Sequence, residues 1–160
     1  ERMEGIEQPK LHFLVVGKTG DFSHDEIIAR IRKNMLNPTF DVLPFQDSVN
    51  KIYEASDVLI APAENEAFGR NLIEAMERNA IVIASNSGGH SEIVDHDSTG
   101  YLVDLGDISG YVNTVSKILL SKADNGIITR TARDKVVQMY ELEKIKRQIK
   151  KLYFTILQEN

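Results

Sequence analysis

Cysteine and tryptophan are both absent from this 160-residue sequence. Without thiols there can be no disulfide scaffold, no cysteine nucleophile and no thiolate-held zinc or iron–sulfur centre. Only four prolines occur, and they form no linker or polyproline tract. No apolar run reaches the roughly 18 residues needed to cross a bilayer, and the N-terminus lacks the pattern of a signal peptide. Positive charge is in deficit: 19 Lys and Arg against 24 Asp and Glu give a net charge of −5. A nucleic-acid partner is therefore not expected. What is present is ordinary globular material, 42% hydrophobic and 27% charged, with no internal repeat or low-complexity tract. A chain of this length buries about 70% of its unfolded surface, enough for one core. The expectation is a soluble, intracellular α/β domain.

Leu11 to Val16 is a continuous apolar run, closed by Gly17, that suits a strand buried on both faces. Ser23 and Glu26 have the spacing of a capping box, and Ile27, Ile28, Ile31 and Met35 follow at helical spacing, up to Asn37-Pro38. Phe40 to Phe45 reads as a second strand. Asp47 reads as the cap of a short helix carrying Val49, Ile52 and Tyr53, and Asp57 to Pro62 as a third strand. Gly69 to Arg78 is predicted helical, with Leu72, Ile73 and Met76 facing inward, and Ala80 to Ala84 is a fourth buried strand. A Ser85–Gly89 loop, a short helix and a Gly100–Val103 strand follow. From Asp107 the pattern is helical to the end, with a break expected around Asp124-Asn125-Gly126. Strands alternating with helices imply βαβ units and a Rossmann-like parallel sheet with flanking helices and a helical C-terminal tail.

In such a sheet, ligands bind beyond the carboxyl ends of the strands, at helix N-termini. Three strand ends qualify: Gly17 to Gly20, Ala63 to Gly69, and Ser85 to Gly89. Neither the Gly-x-Gly-x-x-Gly nor the Gly-x4-Gly-Lys-Ser/Thr phosphate fingerprint is present. The second loop is the most informative. Free amides near Phe68 to Asn71 would favour an anion. Glu74 would lie about 7.5 Å further along the helix axis, close to the span from a nucleotide phosphate to its ribose. A carboxylate there can accept both hydrogen bonds of a cis-diol. Glu66, just before the helix, could reach hydroxyls on a group attached beyond the phosphates. The plainer reading makes Glu74 a solvated helix residue and Glu66 a loop charge.

Five segments in this order decide between those readings: Asp57 to Pro62, Glu66-Ala67-Phe68-Gly69, Glu74-Ala75-Met76, Gly88-Gly89-x-x-Glu92-Ile93-Val94 and Thr99 to Val103. Together they resemble the C-terminal domain of family 4, or group 1, glycosyltransferases of the GT-B fold. The signature is a pair of glutamates with seven residues between them. The resemblance implies a metal-independent retaining glycosyltransferase whose donor is a UDP- or GDP-linked sugar, with no further cofactor. It implies that Glu66 is the catalytic carboxylate, contacting the donor sugar, and that Glu74 binds the ribose. The amides of Ala67, Phe68 and Gly69 would face sugar or diphosphate, and those of Arg70, Asn71, Leu72 and Ile73 the phosphates. Leu43 and Phe45 are candidates to support the base.

The same resemblance treats residues 1–160 as one nucleotide-sugar-binding domain whose N-terminal acceptor domain lies elsewhere. The family's diphosphate-binding Arg and Lys would precede the strand matching Leu11 to Val16, where only ten residues stand. Arg2 and Lys10 do not match them, so the fragment alone is expected to be inactive. Ala67 replaces a frequent glycine, Asn79 the glycine that usually ends the helix, and Ile81 the usual proline. The acceptor would be a sugar, a lipid-linked sugar or a polysaccharide, and the enzyme cytoplasmic, at the inner face of the membrane.

Other features take plainer readings. His90 reads as an exposed loop histidine, with a place on the acceptor side of the cleft as its second reading, and Asp95-His96-Asp97 as a surface turn rather than a metal site. Lys18 is a minor phosphate candidate. The segment 141–151, with Lys144, Lys146, Arg147, Lys150 and Lys151, reads as a packed terminal helix with a solvated basic face. Docking on anionic lipid is its second reading. An inactive sugar-nucleotide-binding module and a GT-B epimerase or phosphorylase remain alternatives. A receiver-like signalling domain fails, since Gly17, Lys18, Ala61 and Pro62 stand where its acidic cluster should be.

Overall fold

The computed structural model describes residues 11–17, 23–34 and 39–158. Lys18, the rest of the Lys18–Gly20 loop, Met35, Asn37-Pro38 and the segment carrying Arg2 and Lys10 lie outside the described residues. The chain divides into two compact units, residues 1–49 and 50–160.

In the first unit, β1 (Phe13–Val16) and β2 (Phe40–Leu43) pair in parallel, Phe13 opposite Phe40 and Val16 opposite Leu43. Between them runs α1 (His24–Asn34). Its start is the expected capping box: the Ser23 amide donates to Glu26 Oε2 at 2.7 Å and the Glu26 amide to Ser23 Oγ at 3.3 Å. These bonds hold the Glu26 carboxyl below its ordinary value. The expected burial of β1 on both faces is not found. Phe13, Leu14 and Val15 are each nearly two-fifths exposed, because two short strands and one helix cannot enclose both faces of a sheet.

The second unit begins with α2 (Asn50–Glu54), so the helix starts three residues after Asp47 rather than directly upon it. Three parallel strands follow in the order β3 (Val58–Ala61), β4 (Ile81–Ser85), β5 (Tyr101–Val103). The central strand β4 is buried at every position. Its alternating side chains feed two clusters. Val82 and Ala84 pack with Leu72, Ala75 and Met76 of α3 (Arg70–Glu77), with Ile93 of α4 (His90–Ile93), and with Ala132 and Val136. Ile81 and Ile83 pack with Tyr101, Ile118 and Ile128. This two-faced burial is what the apolar run at 80–84 predicts. Ile81 also donates its amide to Asp57 O at 3.0 Å, a bond that proline there would forgo.

α3 ends in a Schellman motif. Asn79 adopts φ 63°, its amide donates to Met76 O and that of Ala80 to Ala75 O. Asparagine thus does the work of the glycine it replaces.

The helical tail consists of α5 (Ile108–Leu120), α6 (Lys122–Tyr140) and α7 (Leu142–Gln158). Asp107 caps α5 through Gly110 N at 2.9 Å. The tail breaks at Ser121, not at Asp124-Asn125-Gly126. Asn125 lies in the first turn of α6 and donates its side-chain amide back to Ile118 O at 2.7 Å, so the residues expected to end a helix instead tie two together. A second break, at Glu141, has no proline or glycine to announce it. α6 supplies side chains to both clusters, Ile128 to one and Ala132 and Val136 to the other. α7 is not packed as expected: Leu142, Ile149, Leu152, Tyr153 and Leu157 are all at least half exposed. Among the described residues no helix is long and apolar enough to cross a membrane.

Candidate functional site

The loop from Pro62 to Gly69 leaves the carboxyl end of β3 and enters α3. It is held from beneath by the Ser85–Gly89 loop at the end of β4. Asn65 N donates to Ser87 Oγ at 3.3 Å and Gly89 N to Glu66 O at 2.7 Å. Gly88 sits at φ 56°, and a Cβ there would come 2.5 Å from Glu66 O. A Cβ on Gly89 would come 2.8 Å from Phe68 Cα. The paired glycines are therefore a backbone-to-backbone seat for the Glu66–Phe68 segment.

On that seat the two glutamates are brought to one loop–helix junction. Glu66 is half-buried and its Oε1 accepts from Phe68 N at 3.5 Å and Gly69 N at 3.4 Å. Its carboxylate thus lies on the amides expected to receive an anion. Gly69, at φ 84°, is the N-cap of α3, and the amides of Arg70 and Asn71, at the first turn, have no acceptor among the described residues. The Leu72 amide is already engaged by Gly69 O and Asn71 Oδ1, both at 3.0 Å. The Leu72 side chain is fully buried in the core and that of Ile73 packs against it. Arg70 is largely exposed and pairs through Nε with Glu74 Oε1 at 3.1 Å. Burial, and secondarily the Glu74 carboxylate, raise the Tyr53 hydroxyl above its ordinary value. Ala67 and Phe68 are exposed, and the Phe68 ring meets Tyr140 edge-on at 5.9 Å. Leu43, half-buried at the end of β2, and the exposed Phe45 belong to the first unit.

His90 corrects the sequence reading. It is fully buried, as the first residue of α4, not exposed in a loop. Its Nδ1 lies 3.0 Å from Ser85 Oγ, and Ser85, also fully buried, donates to Ala63 O. A lone serine closing an otherwise apolar run, five residues before a histidine, was the available signal. Asp95-His96-Asp97 is the surface turn expected: Asp97 pairs with Lys117 at 2.6 Å and Asp95 with Lys135 at 2.8 Å.

Residues 1–135 match the model of the family described as glycosyl transferases group 1. The chain belongs to that family. It is 30% identical over 115 residues to the N-acetyl-alpha-D-glucosaminyl L-malate synthase of Bacillus anthracis, covering 72% of this chain and 30% of that protein. It is 26% identical over 154 residues to an Escherichia coli galactosyltransferase named for UDP-Gal and α-D-GlcNAc-diphosphoundecaprenol, covering 93% of this chain and 38% of that one. Among solved structures, Anabaena HepE with UDP-glucose superposes with a TM-score of 0.79 at 23% identity, over 89% of this chain and 40% of that one. The architecture is that of GT-B glycosyltransferases. This group 1 chain spans 30–38% of the lengths of those two curated relatives.

Proposed function

We propose that this chain supplies the donor-binding half of a retaining glycosyltransferase that moves a hexosyl group from a UDP- or GDP-sugar to an acceptor. One observation carries the reading. At the start of α3 the Phe68 and Gly69 amides already hold one carboxylate, that of Glu66, and Glu74 stands in the same helix paired with Arg70, so one short segment offers groups for sugar, diphosphate and ribose in turn. In this reading Glu74 leaves Arg70 to accept the two ribose hydroxyls. The amides of Phe68, Gly69, Arg70 and Asn71 hold the diphosphate, and Leu72 and Ile73 fix the helix that aims them. Glu66 turns from the Phe68 and Gly69 amides to engage hydroxyls of the sugar.

As the glycosidic bond to the diphosphate breaks, negative charge grows on the leaving oxygen. Pre-oriented amides and the positive end of α3 stabilise it there without a metal ion. The UDP and UDP-glucose held by the Anabaena neighbour support a nucleotide-sugar donor. The diphosphoundecaprenol in the name of the E. coli relative supports a lipid-linked acceptor, and with it a cytoplasmic enzyme in peripheral contact with the inner face of the membrane.

The test is sugar transfer by the full-length protein with and without Glu66→Ala. Transfer is expected to fall by at least about a hundredfold, and unchanged transfer would overturn the assignment of Glu66.

A further inference from the structure

We propose that Ser85 and His90 form a positioning pair that sets the pose of the Gly69 turn and, through it, the amides that receive the donor's diphosphate. The inference rests on the nucleotide-sugar reading above and adds two residues outside the paired-glutamate signature.

The argument begins with a single proton. The Ser85 hydroxyl has one to give, and it goes to Ala63 O. Towards His90, Ser85 Oγ can therefore only accept, so the Nδ1 that lies 3.0 Å away must carry a hydrogen. This fixes the tautomer and the rotation of the ring. In that orientation Cδ2 stands 2.9 Å from where a Cβ on Gly69 would be, with Ile93 Cδ1 and Leu72 Cδ1 at 3.3 and 3.4 Å. The imidazole edge is thus the floor on which the turn rests. Ala63 follows β3, Ser85 ends β4 and His90 opens α4, so the two side chains link both strand ends to the turn that caps α3.

The remaining ring atom makes the pair more than packing. Nε2 is buried and has no hydrogen-bond partner among the described residues. A buried polar atom without a partner is costly, and an apolar side chain of similar size would avoid that cost. Histidine here lowers stability for the sake of a hydrogen bond that orients the ring. A stability penalty borne beneath a binding loop is the mark of a function-driven choice.

The test uses His90→Leu and Ser85→Ala in the full-length protein, with UDP and UDP-glucose as probes. Three quantities are read: nucleotide affinity, Tm, and the imidazole 15N shifts of wild type and Ser85→Ala. Wild type should show a protonated Nδ1 and an unprotonated Nε2. Ser85→Ala should show a mixture of tautomers. Both variants should bind UDP more weakly, on the order of tenfold, the scale on which a mispositioned support is felt, while His90→Leu keeps or raises the Tm. UDP affinity unchanged in His90→Leu, an affinity loss that merely tracks a lower Tm, or a wild-type ring protonated on Nε2 would each overturn the pair. Wild-type protein that binds none of UDP, GDP and ADP would instead overturn the donor reading, and the pair's role with it.

Discussion

At the scale of single residues, the candidate site separates stability from binding. The Arg70–Glu74 pair joins a largely exposed guanidinium to a half-buried carboxylate at i,i+4 spacing, so Glu74→Gln, which keeps the side chain's size, should change stability by no more than about 1 kcal/mol. In a UDP titration followed by backbone amide shifts, the same substitution should abolish the response of Phe68 to Ile73. Gly88→Ala behaves differently. A left-handed φ and a Cβ 2.5 Å from a backbone oxygen leave the neighbour no way to yield, so both Tm and UDP binding should fall. The left-handed cap at Asn79 was legible in the sequence because it answers a local demand of backbone handedness, whereas the paired glutamates and the double glycine stood out only through the family resemblance. His90 was not legible. Its burial depends on what Ser85 and Gly69 do in space, and an imidazole among polar neighbours in sequence looks like a surface residue.

At the scale of elements, apolar patterning located the strands and α3 to within a residue or two, and capping chemistry located the start of α1, though α2 begins three residues past its expected cap at Asp47. It misplaced the break in the tail, since Asp124-Asn125-Gly126 carries turn-forming residues that here sit inside α6. Asparagine's side chain can end one helix while starting the next, and only the geometry reveals which. It also overrated the burial of β1, because periodicity reports what a strand could bury and not what is there to cover it.

Along the β5–α5 side of the second unit, Asp97 and Lys117 make the testable electrostatic contact. The hydrogen bond from Lys117 holds the Asp97 carboxyl below its ordinary value, and Asp97 holds the ammonium above its own. The depressed carboxyl contributes stability that is lost as pH falls through its folded-state value. The raised ammonium contributes stability that is lost as pH rises through its own. Both groups are more than half exposed, so solvent screening keeps the contribution within about 0.2–1 kcal/mol. Asp97→Asn should therefore lower Tm slightly at neutral pH, and in a pH series of melts the gap to wild type should close below the carboxylate range.

At the scale of the whole molecule, charge and hydrophobicity are unevenly spread. The chain carries −5 overall, yet α7 bears five cations against the single Glu143 and shows most of its apolar residues to solvent. Exposed apolar surface of this extent binds hydrophobic dyes and promotes self-association. Ending the chain after Tyr140 should reduce anilinonaphthalene sulfonate fluorescence and narrow the sedimentation distribution. Unchanged dye binding would place the sticky surface elsewhere.

The three-stranded sheet has a temporal consequence. Val58 faces Ile81 and Ile83 faces Tyr101, all in parallel, so no hairpin can form early and guide the rest. The chain must first close a loop around α3 before any strand bond rewards it. The Glu66–Gly69 segment lies inside that loop, between β3 and α3. The turn that carries the candidate site forms together with this long-range closure, so substitutions that loosen it are expected to slow refolding more than they speed unfolding, as stopped-flow folding of Gly88→Ala would check.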